Sequence, residues 1–252
     1  VTPRCVHGDA RRPEVLAEAL GGRRTTLLLT DPPYCLLSRR RKGGDDREPR
    51  AGRKIDRQPV HRFDDVRAYR RFTTEWLPAA AASVVDDGTA VVWTNFLGRA
   101  PILSVAADAG FPILAGEFTW AKLSREGGGN ERLARIYEVA LVLRRAPLPR
   151  PGPGQPSLPW AVVAGYDEEG EAERWGSHAN HKPFGVLEPL LRTWSRPGDL
   201  VLDCFAGSGS IPAAALRLGR EVACIEVEAT WAGRVSMRIG EVLSAPSPGA
   251  GA

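Results

Sequence analysis

Apolar positions along this chain follow two rhythms. Short continuous runs, bounded by glycine or proline, alternate with longer stretches at helical spacing. The clearest run is residues 25–30 (TTLLLT), with Gly21-Gly22 before it and Pro32-Pro33 after it. It has no alternating polar face, as expected of a strand covered on both sides in a parallel sheet. Residues 89–94 (TAVVWT), 111–120, 135–144 (RIYEVALVLR), 199–205 (DLVLDCF) and 221–227 also read as strands. Helical spacing covers residues 64–86, 98–109, 181–194, 210–218 and 230–243, and Asp64 or Asp65 suits the first N-cap. Strands that alternate with helices predict an α/β fold: a single doubly wound, mostly parallel sheet with helices on both faces. Ligands of such sheets bind beyond the carboxyl ends of the strands.

The pattern breaks once. Residues 146–160 (APLPRPGPGQPSLPW) hold six prolines and two glycines, which excludes a helix or a central strand. The chain therefore divides into residues 1–145, a proline-rich segment at 146–177, and a second half at 178–243 that completes the same domain. The tail at 244–252, of Ser, Pro, Gly and Ala, is expected to be disordered. No internal repeat is visible.

Composition changes this picture little. The 252 residues are 43% hydrophobic and 25% charged, enough for a sizeable core in an ordinary globular protein. The formal net charge is +4, and lysine occurs only at positions 42, 54, 122 and 182, so arginine carries nearly all the basic charge. Arginine forks suit phosphates and guanine edges, so a nucleic-acid partner is permitted but not demanded. Cys5, Cys35, Cys204 and Cys224 form no C-x-x-C pair and read as free thiols in a reducing compartment. His178 and His181 have no cluster of further ligands around them, so no metal is expected. There is no apolar run that could span a membrane and no signal-peptide pattern, which points to a cytoplasmic protein.

Two segments carry chemistry. Asp203-Cys204-Phe205-Ala206-Gly207-Ser208-Gly209-Ser210 joins a strand to a helix. Gly207 and Gly209 lack Cβ atoms and allow a ligand close to the backbone. Glu226 ends the next strand, where an acid meets ribose hydroxyls in nucleotide-binding α/β folds. Pro212 replaces the third glycine of the dinucleotide fingerprint, which disfavours NAD and leaves an adenosine-type cofactor open.

The second segment, Asp31-Pro32-Pro33-Tyr34, follows directly on the run at 25–30. The prolines fix φ and leave their carbonyls as acceptors. An exocyclic amine on adenine or cytosine is a poor nucleophile, because its lone pair is delocalised into the ring. Two acceptors, the Asp31 carboxylate and the Pro32 carbonyl, can hold its two N–H bonds and localise that pair for attack on a sulfonium methyl. Tyr34 can stack on a base drawn out of its helix. Extrusion costs a few kcal/mol and stacking returns about 1–3 kcal/mol, so the ring is useful there.

These residues resemble the amino-methyltransferases of DNA, which make N6-methyladenine or N4-methylcytosine. The resemblance runs from about Val6 to Ile239. The order, with DPPY first and F-x-G-x-G later, resembles the β group, whose class I S-adenosylmethionine-dependent fold is circularly permuted. His7-Gly8-Asp9-Ala10, Trp120-Ala121-Lys122, Tyr137-Glu138 and His181-Lys182-Pro183 resemble further segments of that group. The resemblance implies catalytic roles for Asp31, Pro32, Pro33 and Tyr34. It implies a pocket for S-adenosylmethionine lined by Asp9, Thr30, Asp31, Lys182, Asp203, Phe205, Ala206, Gly207, Ser208, Gly209 and Glu226. Double-stranded DNA in the nucleoid is the implied substrate. A homodimer and an associated restriction nuclease are partners that the resemblance allows.

The β group usually places target recognition between its two halves. Here that place is short, proline-rich and acidic from 167 to 173, which argues against a DNA-reading role. The basic loop at 35–62 is the other candidate, with Arg39, Arg40, Arg41, Lys42, Arg53 and Lys54 placed to meet phosphates. Asp at the head of the tetrapeptide favours adenine, since many N4-cytosine enzymes of this order begin with Ser. The alternatives are an N4-cytosine enzyme, an amino-methyltransferase for RNA, and an inactive nucleic-acid-binding relative. A protein-glutamine enzyme fits less well, because those show Asn-Pro-Pro-Tyr after the glycine loop.

Overall fold

The computed structural model describes residues 5–38, 61–122, 137–148, 160–164, 170–175 and 181–245. The run at 25–30 forms β2 (Thr25–Thr30), in the interior of the sheet, where Leu27, Leu28 and Leu29 are all fully buried. Leu28 faces a core that includes side chains of α1 (Pro13–Leu20), α2 (Val66–Ala82) and α3 (Phe96–Asp108). Leu27 and Leu29 face the opposite core, with α5 (Phe184–Trp194), α6 (Ser210–Arg217) and α7 (Ala229–Ser244). A run apolar at every position is what two covered faces require.

The other strands are β1 (Cys5–His7), β3 (Val84–Thr94), β4 (Ile113–Lys122), β5 (Tyr137–Arg144), β6 (Ala161–Ala164), β7 (Leu200–Asp203) and β8 (Glu221–Glu226). They form one sheet in the order β1-β8-β7-β2-β3-β5-β4-β6. The pairs from β1 through to β3 are parallel, and β5 runs antiparallel between β3 and β4. The doubly wound, mostly parallel sheet with helices on both faces is therefore present.

Several boundaries differ from the sequence pattern for physical reasons. The helix expected over 64–86 ends at Ala82, and β3 begins at Val84. Val84 and Val85 are β-branched and suit a strand. Thr25 pairs with Val84 but Leu27 with Thr89, so the extra residues of β3 are absorbed by an irregularity. Gly88 lies in it, and a Cβ there would sit 2.7 Å from the Thr26 carbonyl. Asp65, not Asp64, caps α2, its side chain accepting the Ala68 N–H at 2.7 Å. Helix α5 starts at Phe184 instead of 181, because Pro183 keeps the residue before it extended. The pattern showed neither the short strands β1 and β6 nor the short helices α1 and α4 (Glu171–Trp175). Helix α1 does carry end signals, with Pro13 opening it and Gly21 closing it in the left-handed region at φ 58°. The tail begins one residue later than expected, since Ser244 closes α7, and residues 246–252 lie outside the described residues.

Leu28→Ala removes a fully buried side chain from the middle of β2. It is expected to cost about 2–5 kcal/mol. A urea titration should show a lower midpoint with an unchanged slope.

Candidate active site

Strands β1, β8, β7 and β2 are neighbours and parallel, so their carboxyl ends form one rim. From β7 the chain crosses through α6 to β8 on one side. From β2 it crosses through α2 to β3 on the other. The crevice between β7 and β2 is thus the topological switch point, where α/β sheets bind ligands. One side chain spans it. The Thr30 hydroxyl donates to Asp203 Oδ1 at 2.8 Å and accepts the Cys204 N–H at 3.1 Å.

The glycine loop lies on the β7 side. Asp203 Oδ1 also accepts the Phe205 N–H at 3.1 Å, while Oδ2 is buried with no hydrogen-bond partner. Burial raises the Asp203 carboxyl to about 7, and the nearby Asp31 and Glu226 charges add to the effect. Glu226 closes the loop. Its Oε2 accepts the Gly207 N–H at 2.8 Å and its Oε1 the Glu228 N–H at 2.9 Å. Gly207 and Gly209 have φ of 51° and 75°, a region that other residues avoid. Phe205 meets the Trp76 ring edge-on, with centroids 5.1 Å apart. From behind the loop, Arg238 donates to the Ser208 carbonyl at 3.1 Å and His181 Nδ1 lies 3.4 Å from Ser208 Oγ. Asp9 sits on the rim, since Gly8 N–H donates to the Glu226 carbonyl at 2.9 Å. Arg11 holds Asp9 at 2.6 Å, which lowers its carboxyl below the ordinary value.

On the β2 side, Asp31, Tyr34, Glu138 and Lys182 form a buried polar cluster. Asp31 Oδ2 accepts from Lys182 Nζ at 2.5 Å, and Glu138 Oε2 lies 2.9 Å from the same ammonium. The Tyr34 hydroxyl donates to Glu138 Oε2 at 2.7 Å. Side-chain exposure is 1% for Lys182 and 6% for Asp31, so solvent screens the pairs little. Lys182 Nζ also lies 5.0 Å from the centroid of the buried Trp93 ring. Burial raises Asp31 to about 6; Lys182 opposes the shift and Glu138 reinforces it. Burial disfavours the Lys182 charge, but the two carboxylates outweigh it and its pKa stands above the ordinary value. Asp31 Oδ1 is buried and has no hydrogen-bond partner.

The structure brings Asp9, Thr30, Asp31, Tyr34, Asp203, Phe205, Gly207, Ser208, Gly209 and Glu226 to one rim and its crevice. Pro32 and Ala206 are buried beside them, and Pro33 is half-buried. Lys182 reaches the crevice too, but its ammonium ends on the tetrapeptide carboxylate and not at the glycine loop. Arg39, Arg40, Arg41, Lys42, Arg53 and Lys54 lie outside the described residues, as does His178. Trp93 is a site residue that the sequence did not single out, and Glu138 was matched only as part of the Tyr137-Glu138 segment, with no role in the site. A further signal for Glu138 is its position as the only acid in the otherwise apolar YEVALVL run. Among the described residues, no group of three or more His, Cys, Asp or Glu could hold a metal ion, and no helix is long and apolar enough to cross a membrane.

Fold and site together define an α/β protein with a nucleotide-type glycine loop on one side of the switch point and a buried acid–tyrosine pocket on the other. The DNA methylase family model matches residues 25–232, and the chain belongs to that family. The YubD protein of Escherichia coli K12 is 32% identical over 114 residues, covering 45% of this chain and 46% of that protein. The match therefore spans about half the length of that relative. Among solved structures, the M1.HpyAVI–SAM complex superposes with a TM-score of 0.64 at 19% identity, covering 94% of this chain and 98% of that one. The cytosine-N4-specific PvuII DNA methyltransferase gives 0.64 at 16%, covering 94% and 88%. These likenesses are of fold: one mostly parallel sheet with helices on both faces.

The raised Asp203 acid has a consequence for stability. A carboxyl with an ordinary value when unfolded and about 7 when folded keeps its proton longer in the native state. Its contribution therefore falls as pH rises from about 4 to about 7, and is level above that. Asp203→Asn should raise the melting temperature relative to wild type at pH 8. The difference should shrink at pH 5, as thermal denaturation at the two pH values would show.

Proposed function

We propose that this chain transfers a methyl group from S-adenosylmethionine to the N6 amino group of adenine in double-stranded DNA. The observation that carries the reading is the Asp31 carboxylate. One oxygen is anchored by Lys182 and the other is buried with no hydrogen-bond partner, beside the ring of Tyr34. A buried acceptor without a donor costs about 1–3 kcal/mol and calls for a ligand that brings one.

The glycine loop fits the cofactor. Its positive-φ glycines leave backbone room, Glu226 offers remaining lone pairs to ribose hydroxyls, and Asp203 Oδ2 is a second buried acceptor with no partner. A Cβ on Gly209 would come within 3.2 Å of Val235. When bound, S-adenosylmethionine supplies an electrophilic sulfonium methyl. This chain orients the amine: Asp31 Oδ1 accepts one N–H, the Pro32 carbonyl takes the other, and the Tyr34 ring stacks on the base. The presence of S-adenosylmethionine in the M1.HpyAVI complex supports the cofactor assignment.

Duplex DNA is supported by the family and by the basic segment. Phe63 N–H donates to the Leu36 carbonyl and Ser38 N–H to the Phe63 carbonyl, both at 2.8 Å. The chain thus leaves at Ser38 and returns at His61 close to Tyr34. Arg39, Arg40, Arg41, Lys42, Arg53 and Lys54 lie between those points in the sequence, where phosphate contacts would hold an extruded strand. Adenine is preferred to cytosine because Asp, not Ser, heads the tetrapeptide. An N4-cytosine enzyme would use the same amine grip.

Digestion of DNA from expressing cells, followed by nucleoside mass spectrometry, is expected to show N6-methyladenine. N4-methylcytosine would move the reading to cytosine, and neither product would sink it. Asp31→Asn should lower turnover by about 100-fold or more while calorimetry shows cofactor binding retained. Wild-type turnover should fall as pH drops through about 6, where Asp31 takes up a proton and becomes a weaker acceptor.

A further inference from the structure

The buried cluster holds more charge than an amine grip needs. Asp31 alone could accept the amine. Yet a second buried carboxylate, Glu138, shares Lys182 with it, at 2.9 Å and 2.5 Å. Glu138 also accepts the Tyr34 hydroxyl at 2.7 Å. It comes from β5, while Asp31 and Tyr34 follow β2, and β3 lies between those strands in the sheet. Lys182, Asp31 and Glu138 are all buried, so moving the ammonium off either carboxylate is costly.

We infer that Glu138 is a positioning residue of the methyl-transfer site: it shares the Lys182 ammonium with Asp31 and fixes the Tyr34 ring, so that the ammonium stays on the far oxygen of Asp31 and the other oxygen is left for the amine. This rests on the reading of the chain as an amino-methyltransferase. In that reaction the amine nitrogen forms a bond to the methyl carbon, and the carbon–sulfur bond breaks with its electron pair going to sulfur. The nitrogen becomes positive and then loses one N–H proton to Asp31 Oδ1, from which it passes to solvent. Without Glu138, Lys182 would pair with Asp31 alone, and its ammonium would no longer be held to the side away from the amine. Tyr34 would also lose the acceptor that sets its ring.

The groups facing Asp31 come from every neighbouring element. They are Tyr34 in its own loop, Glu138 on β5, Lys182 before α5, Asp203 at the end of β7 and Tyr69 on α2. Of these, Glu138 and Asp203 are acids, and only Glu138 touches both the ammonium and the phenol. Removing its charge lowers the pH at which Asp31 takes up a proton, because a negative neighbour is lost.

The test uses the full chain and the variants Glu138→Gln, Glu138→Asp and Tyr34→Phe. Glu138→Gln keeps an acceptor for Tyr34 but carries no charge. It is expected to lower kcat by roughly 10–100-fold, with KM for DNA and cofactor affinity changed less than about threefold. The acid limb of its pH–rate profile should move to lower pH, and Glu138→Asp should restore both part of kcat and the limb. Tyr34→Phe keeps the ring and the charges, so its limb should stay nearer that of wild type. A second readout needs no turnover. With only four lysines, the ¹³Cε/¹⁵Nζ signals can be assigned, and Lys182 in Glu138→Gln should titrate at lower pH than in wild type.

A Glu138→Gln enzyme with wild-type kcat and an unmoved limb would overturn the inference while leaving the methyltransferase reading intact. So would an unchanged Lys182 titration. If wild type neither binds S-adenosylmethionine nor methylates DNA, the reading itself fails and the inference falls with it. Equal loss of cofactor binding and melting temperature in Glu138→Gln and Glu138→Asp would show a purely structural role and would also overturn it.

Discussion

The Lys182 ammonium lies between two carboxylates that reach it from separate strands, and the site depends on that contact. Asp31 follows β2, Glu138 belongs to β5, and Lys182 precedes α5 in the second half of the chain. The pairing ties the two halves together at the crevice, alongside the Thr30–Asp203 hydrogen bond across the switch point. It also has a directional effect. One oxygen of Asp31 is engaged, which orients the carboxylate and leaves the other oxygen aimed at what enters. Removing one partner of a buried pair is costly because the other charge is left unpaired. Pro183 helps set the reach, since the residue before a proline is biased away from helix and α5 begins only at Phe184, after Lys182.

What could be read in the sequence follows from the range of each interaction. β2, β7 and β8 declare themselves because both their faces are buried, so apolar runs bounded by Gly, Pro or charge mark them directly. The glycine loop and the DPPY tetrapeptide are local in sequence, and their chemistry was legible for the same reason. β1 and β6 are too short to show a period, and they are strands only because β8 and β4 pair with them. The α2–β3 boundary was missed because helix-forming alanines run straight into Val84, with Ser83 alone to mark the change. The Glu138–Lys182 pair was invisible because it joins positions 44 residues apart in sequence, which only the sheet order brings together.

Part of the acidic segment before the second half has an internal role. Its charge argued against DNA contact, and the structure gives part of that charge an internal use. Glu171 on α4 accepts from Arg217 and from Arg238. Arg238 in turn donates to the Ser208 carbonyl within the glycine loop. The described part of the segment is thus tethered to α6 and α7, directly behind the loop. Arg238 is fully buried, and Glu171 supplies the counter-charge that makes its burial tolerable. The tether therefore supports the loop from the side away from the crevice.

Two buried acids, Asp31 and Asp203, flank Thr30, and each has an oxygen with no hydrogen-bond partner. A fold selected for stability alone would not keep both, since each raised carboxyl weakens the native state as pH rises toward neutrality. Their retention fits a crevice whose occupants carry positive charge or acquire it. In the proposed reaction one occupant is a sulfonium and the other an amine that becomes cationic during transfer. Negative charge placed beforehand in a dry crevice needs little reorganisation when the positive charge develops. The stability lost in the empty protein and the stabilisation offered to the reacting groups then have the same source, the burial of Asp31 and Asp203 with one oxygen each left without a donor.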